Sequence, residues 1–371
     1  MSINENLKEV EVISTGYYLP GNPIPFDKVG EALGEFTNID ESLKTRIKRY
    51  KGMMSKIIKA CCYFAVDPQT KRPTENVTSL SVKAIKNALA KINMDPKDIE
   101  LLVLGTPLPD YMTPPTTPYI QEELGIDHFT EMEIHSNCTA MTKAVEVAYN
   151  ALKIGKYKNA VVVYTQSPSV FLNRDFYNQG KISIENLLLR WFLSDSSGAL
   201  VLKAADKVNK GIKMTAVYNE SIGNILPPSM WLKFGAANFN LQEAFEKGEH
   251  HFAQDYQTVN KLGPIIQVKG LQNMLKQNSL RGKDIDHLLI SIPSYKLEDT
   301  AKKKTEIEVG ISKDKWFSNV ETKGYCGGAS LITSMEELID KGLFKPGERA
   351  LSFVTESSKW MVGGYILENV K

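Results

Sequence analysis

Asp98-Ile99-Glu100-Leu101-Leu102-Val103-Leu104-Gly105-Thr106-Pro107 recurs 186 positions later as Asp284-Ile285-Asp286-His287-Leu288-Leu289-Ile290-Ser291-Ile292-Pro293. Each copy follows a helical segment and reads as a strand that is apolar throughout, the pattern of a sheet covered on both faces. Two further units recur in the same order. Cys138-Thr139-Ala140-Met141, at the head of an amphipathic run, returns 188 positions later as Cys326-Gly327-Gly328-Ala329. Gly155 and Gly342 then mark helix ends, and the strands Ala160–Thr165 and Ala350–Thr355 follow. Three ordered units at nearly one offset define a duplication. The chain therefore divides into α/β halves, 1–205 and 206–371, with function expected where loops of both meet. Phe171–Trp191 has no copy in the second half. Its aromatic residues and Leu187–Leu189 fit a lid, a subunit contact or ordinary core.

Glu133-Ile134-His135-Ser136-Asn137-Cys138 opens directly onto the helical pattern Met141, Ala144, Val145, Ala148, Leu152. A thiol at a helix start faces unpaired backbone N–H groups and the positive end of the dipole, both of which favour the nucleophilic thiolate. A small buried cysteine is the alternative. With 371 residues, 42% hydrophobic and 24% charged, the chain can bury a large core. Its formal charge of +2 gives no whole-chain case for nucleic acid or an anionic membrane. Cys61, Cys62, Cys138 and Cys326 offer no zinc or disulfide spacing, which fits a reducing compartment. Met1–Asn6 lacks an apolar signal core, and no run approaches the roughly 18 apolar residues of a membrane helix. A cytoplasmic protein without a membrane span is expected.

The duplicated α/β pattern with a cysteine at the first core helix resembles the thiolase fold, specifically the type III ketoacyl synthases. The resemblance runs through Thr15-Gly16-Tyr17-Tyr18-Leu19-Pro20, Thr106–Asp110, Asn137-Cys138-Thr139-Ala140, Leu193–Leu202, Gly324–Ser330 and Phe344-Lys345-Pro346-Gly347-Glu348. Leu189–Asp195, Lys315–Asn319 and Thr355–Trp360 are similar to the branch that serves dialkylresorcinol and flexirubin-type biosynthesis. The resemblance implies five αβαβα layers, a homodimer or a heterodimer with a homologous chain, no metal and no permanently bound cofactor. It implies that Cys138 takes an acyl group as a thioester from acyl-CoA or the phosphopantetheine of acyl carrier protein. The oxyanion would be held by the backbone N–H groups of Cys138 and Ser358.

The chain departs from that pattern at two places. Ser291 stands where the family has histidine, and Tyr325 where it has asparagine. In the family those groups stabilise the enolate formed on decarboxylation, and losing one such donor costs about 3–4 kcal/mol in barrier. Acyl loading needs the activated thiol and the oxyanion hole, and transfer to a hydroxyl or amine needs only a base. The reading adopted is an acyltransferase that passes the group to an O, N or S acceptor in secondary-metabolite or lipid biosynthesis. A decarboxylative condensing ketosynthase and a non-catalytic subunit of a heterodimer remain alternatives. Ser291 and Tyr325 are expected to shape the substrate site. Cys326 should face the same cavity as a packing or substrate-contacting thiol, and Glu133 is a candidate carboxylate near the nucleophile. His135, His287 and Asp195 are read as structural, and His250 and His251 as surface residues.

Overall fold

A computed structural model describes residues 7–233, 235–238 and 240–371. Met1–Asn6, on which part of the localisation argument rested, lies outside the described residues. The first half contributes strands β1 (Glu9–Tyr18), β2 (Leu101–Thr106), β3 (Thr130–His135), β4 (Asn159–Gln166) and β5 (Ser196–Ala205). The second contributes β6 (Gly211–Ser221), β7 (His287–Leu289), β8 (Trp316–Phe317), β9 (Arg349–Glu356) and β10 (Met361–Val370). Their hydrogen-bonded order is β3-β2-β4-β5-β1-β6-β10-β9-β7-β8. Each half thus uses the same order, and β1 and β6 join the two through the pairs Val10–Met214, Glu11–Lys213 and Val12–Ile212.

The helices of the layers are α1 (Glu41–Met54), α2 (Val77–Ala90), α3 (Thr117–Leu124), α4 (Thr139–Lys153), α5 (Tyr256–Gln277), α6 (Tyr295–Val309) and α7 (Ala329–Asp340). Helices α4 and α7 are buried between the two five-stranded sheets and touch both. Helices α2 and α3 cover the outer face of the first sheet, and α5 and α6 that of the second. This is the expected five-layer α/β arrangement. The predicted apolar stripe of α4, from Met141 to Leu152, is fully buried. Local signals set the helix starts: Asn76 and Ser79 form a capping box on α2, and Asp110 accepts the Val77 and Thr78 N–H groups at 2.7 and 2.9 Å.

The two central helices meet head to head because glycine permits it. A Cβ at Gly328 would stand 2.6 Å from Met141 Cβ and 2.9 Å from the Cys138 carbonyl oxygen. Gly105 serves α4 from the other side, where a Cβ would lie 2.6 Å from the Ala140 carbonyl oxygen. No helix among the described residues is long and apolar enough to cross a membrane.

Two sequence expectations change. Phe171–Trp191 is neither an exposed lid nor a core helix. It runs through short 3-10 turns, and Leu187, Leu188, Leu189 and Trp191 form a satellite core with Met54, Ile58 and Phe64. His250 and His251 are buried rather than on the surface. The reason is that both pin their loop to this segment: His250 Nε2 lies 2.9 Å from the Phe176 carbonyl, and His251 Nε2 accepts the Asn178 N–H at 3.0 Å.

Burial, reinforced by His250, holds the His251 imidazole down at about 4. Unfolded histidine titrates near 6.5, so between the two values the unfolded chain binds the extra proton. Stability is therefore full above about pH 6.5 and is lost as pH falls toward about 4, by up to about 3 kcal/mol. Urea unfolding across this range should show a weaker pH dependence in His251→Gln than in the unmodified chain. Equal dependence in both would contradict this assignment.

Candidate active site

The turn Ser136–Cys138 carries the chain from the end of β3 into α4 and sets Cys138 at the helix N-cap position. The cysteine makes no capping bond with its own side chain. It opens instead on a cavity of about 110 Å³ whose walls also include Tyr325, Ser291, Gly327, Ser330, Ser357 and Glu356. The remaining lining is largely apolar, with Phe192, Met230, Val259, Leu297, Phe353 and Trp360. The cavity passes the ends of β7 and β9 and reaches the space beneath α5 and α6.

Cys138, Ser291 and Tyr325, far apart in sequence, are thus brought together. The Tyr325 hydroxyl lies 3.6 Å from Cys138 Sγ. Its ring meets Phe192 edge-on at 5.6 Å, and its carbonyl accepts the Ser194 N–H at 3.2 Å, so both ends of the residue are held. Ser291 Oγ is buried without a hydrogen-bond partner among the described residues.

Two other expected site residues, Cys326 and Glu133, lie elsewhere. Cys326 does not face the cavity: its thiol points to the Lys323 carbonyl at 3.2 Å, and its N–H donates to Ser330 Oγ at 2.9 Å. Gly327, at φ +56°, turns the chain so that Gly327 and Ser330 line the cavity instead of the sulfur. Glu133 is occupied at the sheet edge, where its carboxylate accepts the Thr116 N–H at 2.6 Å. The Ser358 hydroxyl donates to Glu356, and its neighbours Glu356 and Ser357 line the cavity. His135 is exposed at the end of β3, and His287 pairs with Glu348 at 2.9 Å. Asp195 is fully buried and accepts the Ala65 and Ser169 N–H groups at 2.7 and 2.9 Å, which is a structural role.

The residue that sequence reasoning missed is Glu356, the last of β9. It is 2% exposed, and its carboxylate accepts the Thr139 N–H at 3.0 Å, the first amide of α4. The hydroxyls of Thr139, Ser136 and Ser358 donate to it as well. Lys143 donates to Ser136 Oγ at 2.8 Å, placing its ammonium one hydroxyl away. A carboxylate at a helix N-terminus is well placed electrostatically. Here it takes the position a thiolate would have used. No local motif signals it, because the pairing spans 217 positions.

The expected activation of Cys138 by its helix is therefore overridden. The residue is partly open to the cavity, but its thiol lies deep in the fold. Burial, and then the Glu356 charge, push it up to about 12, while the Tyr325 hydrogen bond opposes them. Burial likewise holds the Tyr325 phenol far above its usual range, so it stays protonated. A groove of about 880 Å³ adjoins the cavity and shares Gln254 and Tyr256 with it. Lys181, Lys233, Lys247 and Trp231 line this groove together with the acidic Glu185, Glu249 and Asp255. No cluster of three His, Cys, Asp or Glu side chains able to hold a metal occurs among the described residues.

Known proteins are similar to this chain in sequence and fold. Residues 132–221 match the family model of 3-oxoacyl-acyl-carrier-protein synthase III, and residues 275–357 match the model of its C-terminal part. The β-ketoacyl-acyl-carrier-protein synthase III of Clostridium acetobutylicum is 24% identical over 345 residues, covering 92% of this chain and 94% of the relative. That of Fusobacterium nucleatum is 24% identical over 348 residues, 92% of this chain and 93% of the relative. Among solved structures, a tetronic acid condensing enzyme superposes with a TM-score of 0.78 at 22% identity, covering 97% of this chain and 99% of the other. OleA of Xanthomonas campestris gives 0.77 at 16% identity, again with 97% and 99% coverage. The chain has the thiolase fold, in the form seen in these synthases.

Alkylation of Cys138 by iodoacetamide should rise about tenfold per pH unit from about pH 7 to 10, because only the thiolate reacts. A plateau near pH 8.5, the behaviour of an ordinary thiol, would contradict the environment described.

Proposed function

We propose that this chain is an acyltransferase of the type III ketoacyl synthase kind. An acyl group from acyl-CoA or acyl carrier protein is loaded on Cys138 as a thioester and passed to an O, N or S acceptor in secondary-metabolite or lipid biosynthesis. The observation that carries the reading is the set of groups around the sulfur. A cysteine opens on a largely apolar cavity suited to an acyl chain, Tyr325 hydrogen-bonds its sulfur, and no imidazole lines the wall among the described residues. The amide side chains on the wall, Asn137, Gln254 and Gln267, make no hydrogen bond to the sulfur among the described residues. Tyrosine and serine each offer one neutral hydroxyl donor, a weaker apparatus for stabilising an enolate than a histidine–asparagine pair.

The adjoining groove supports a pantetheine-bearing donor. Lys181 and Lys233 can meet phosphate groups among the groove's mixed charges, and Gln254 and Tyr256 are shared with the cavity that holds the sulfur. Transfer to oxygen, nitrogen or sulfur follows ping-pong logic: the donor departs before the acceptor attacks the thioester. A second reading, decarboxylative condensation, is favoured by the names of the similar proteins, which are condensing synthases.

Intact mass after incubation with a panel of short and medium acyl-CoA and acyl-carrier thioesters separates these readings. The unmodified chain should gain one acyl mass, and Cys138→Ala none. Carbon dioxide release from malonyl thioesters with a β-keto product would favour condensation. An unlabelled chain across the whole panel would overturn loading and favour a non-catalytic subunit.

A further inference from the structure

Loading a thioester on a thiol requires one proton to leave Cys138 sulfur and one to reach the departing sulfur. The usual solution is a nearby imidazole. None of the five histidines lines the cavity. His250, His251 and His287 are committed to other partners, and His128 and His135 are exposed. Glu356 is the one carboxylate on the cavity wall among the described residues. Its two oxygens already accept from Thr139 N–H and from three hydroxyls, so little lone-pair capacity is left to take up a proton. Lys143 reaches this network only through Ser136.

Among the described residues, the side chain that hydrogen-bonds the sulfur is Tyr325. A phenol can accept one proton while giving up its own, so it can act as a neutral relay without ever forming a phenolate. The fixed Glu356 charge disfavours a free thiolate, which makes such a relay the economical route.

We propose that Tyr325 is a catalytic residue of the loading step, relaying the Cys138 proton to the sulfur of the departing pantetheine thiol. The inference rests on the loading reading above. The Cys138 S–C(acyl) bond forms and the pantetheine S–C(acyl) bond breaks. The S–H proton of Cys138 passes to the Tyr325 oxygen while the phenolic proton passes to the leaving sulfur. The products are acyl-Cys138 and free pantetheine thiol, with atoms and charge balanced and no oxidant or reductant involved. Tyr325 regains its starting state at the end of the step.

The test compares the unmodified chain with Tyr325→Phe, which keeps the ring against Phe192. Single-turnover acylation is followed by intact mass, and iodoacetamide alkylation at high pH serves as a control that requires no proton on its leaving iodide. Acylation should slow by about 10²–10⁴-fold in Tyr325→Phe, with alkylation, compared at equal thiolate fraction from each variant's own pH profile, changed less than about threefold. Acylation within about threefold of the unmodified chain would overturn the relay. So would parallel loss of both reactions, because Tyr325 would then only hold the thiol in place. No adduct on the unmodified chain, with alkylation intact, would sink the loading reading itself and the relay with it.

Discussion

The carboxylate of Glu356 on the first amide of α4 is the contact on which the site depends. It ties the last residue of a second-half strand to the helix that carries the first-half cysteine. The duplication makes this geometry available. Strand β9 sits in the second half where β4 sits in the first, and its end arrives beside the N-terminus of α4. Gly328 lets the N-termini of α4 and α7 approach, since any larger residue would strike Met141 and the Cys138 carbonyl. The positive ends of two helices would otherwise concentrate on the cavity, and the buried carboxylate answers that field. Lys143, reached through Ser136, keeps the negative charge from standing alone in the fold.

From this contact follows the character of the nucleophile. A helix-start cysteine is ordinarily acidified, but at this position the anion site is already filled. The thiol is thus neutral at rest, and a neutral phenol faces it from the second half. The two halves contribute unequal groups to one cavity: the first supplies the sulfur, and the second supplies Tyr325, Ser291 and Glu356. The apolar cavity runs under α5 and α6, and a groove of mixed charge adjoins it at Gln254 and Tyr256. Such a layout suits a substrate with a greasy acyl end and a charged carrier end.

Much of this was legible in the sequence because the repeat is a periodic, local signal. The strands at Leu101 and His287, the helix over Met141–Leu152 and the glycine stops appear where their patterns placed them. Cys138, Ser291 and Tyr325 line one cavity, a grouping that the family resemblance, rather than the repeat, had implied. What the sequence concealed was side-chain direction. Cys326 mirrors Cys138 in register, yet the Gly327 turn sends its sulfur into the core. Glu133 sits near the nucleophile in the chain but serves the Thr116 loop. Glu356 and the buried histidine pair act through partners more than 60 residues away, which no window of local periodicity can register.

The most direct test of this account is an ultraviolet thiolate titration of Cys138, taken as the difference from Cys138→Ser, in the unmodified chain and in Glu356→Gln. The account predicts that thiolate absorbance in the unmodified chain emerges only well above pH 9 and that Glu356→Gln shifts it to lower pH by about one unit or more. Coincident titrations, or a midpoint near 8.5 in the unmodified chain, would contradict it.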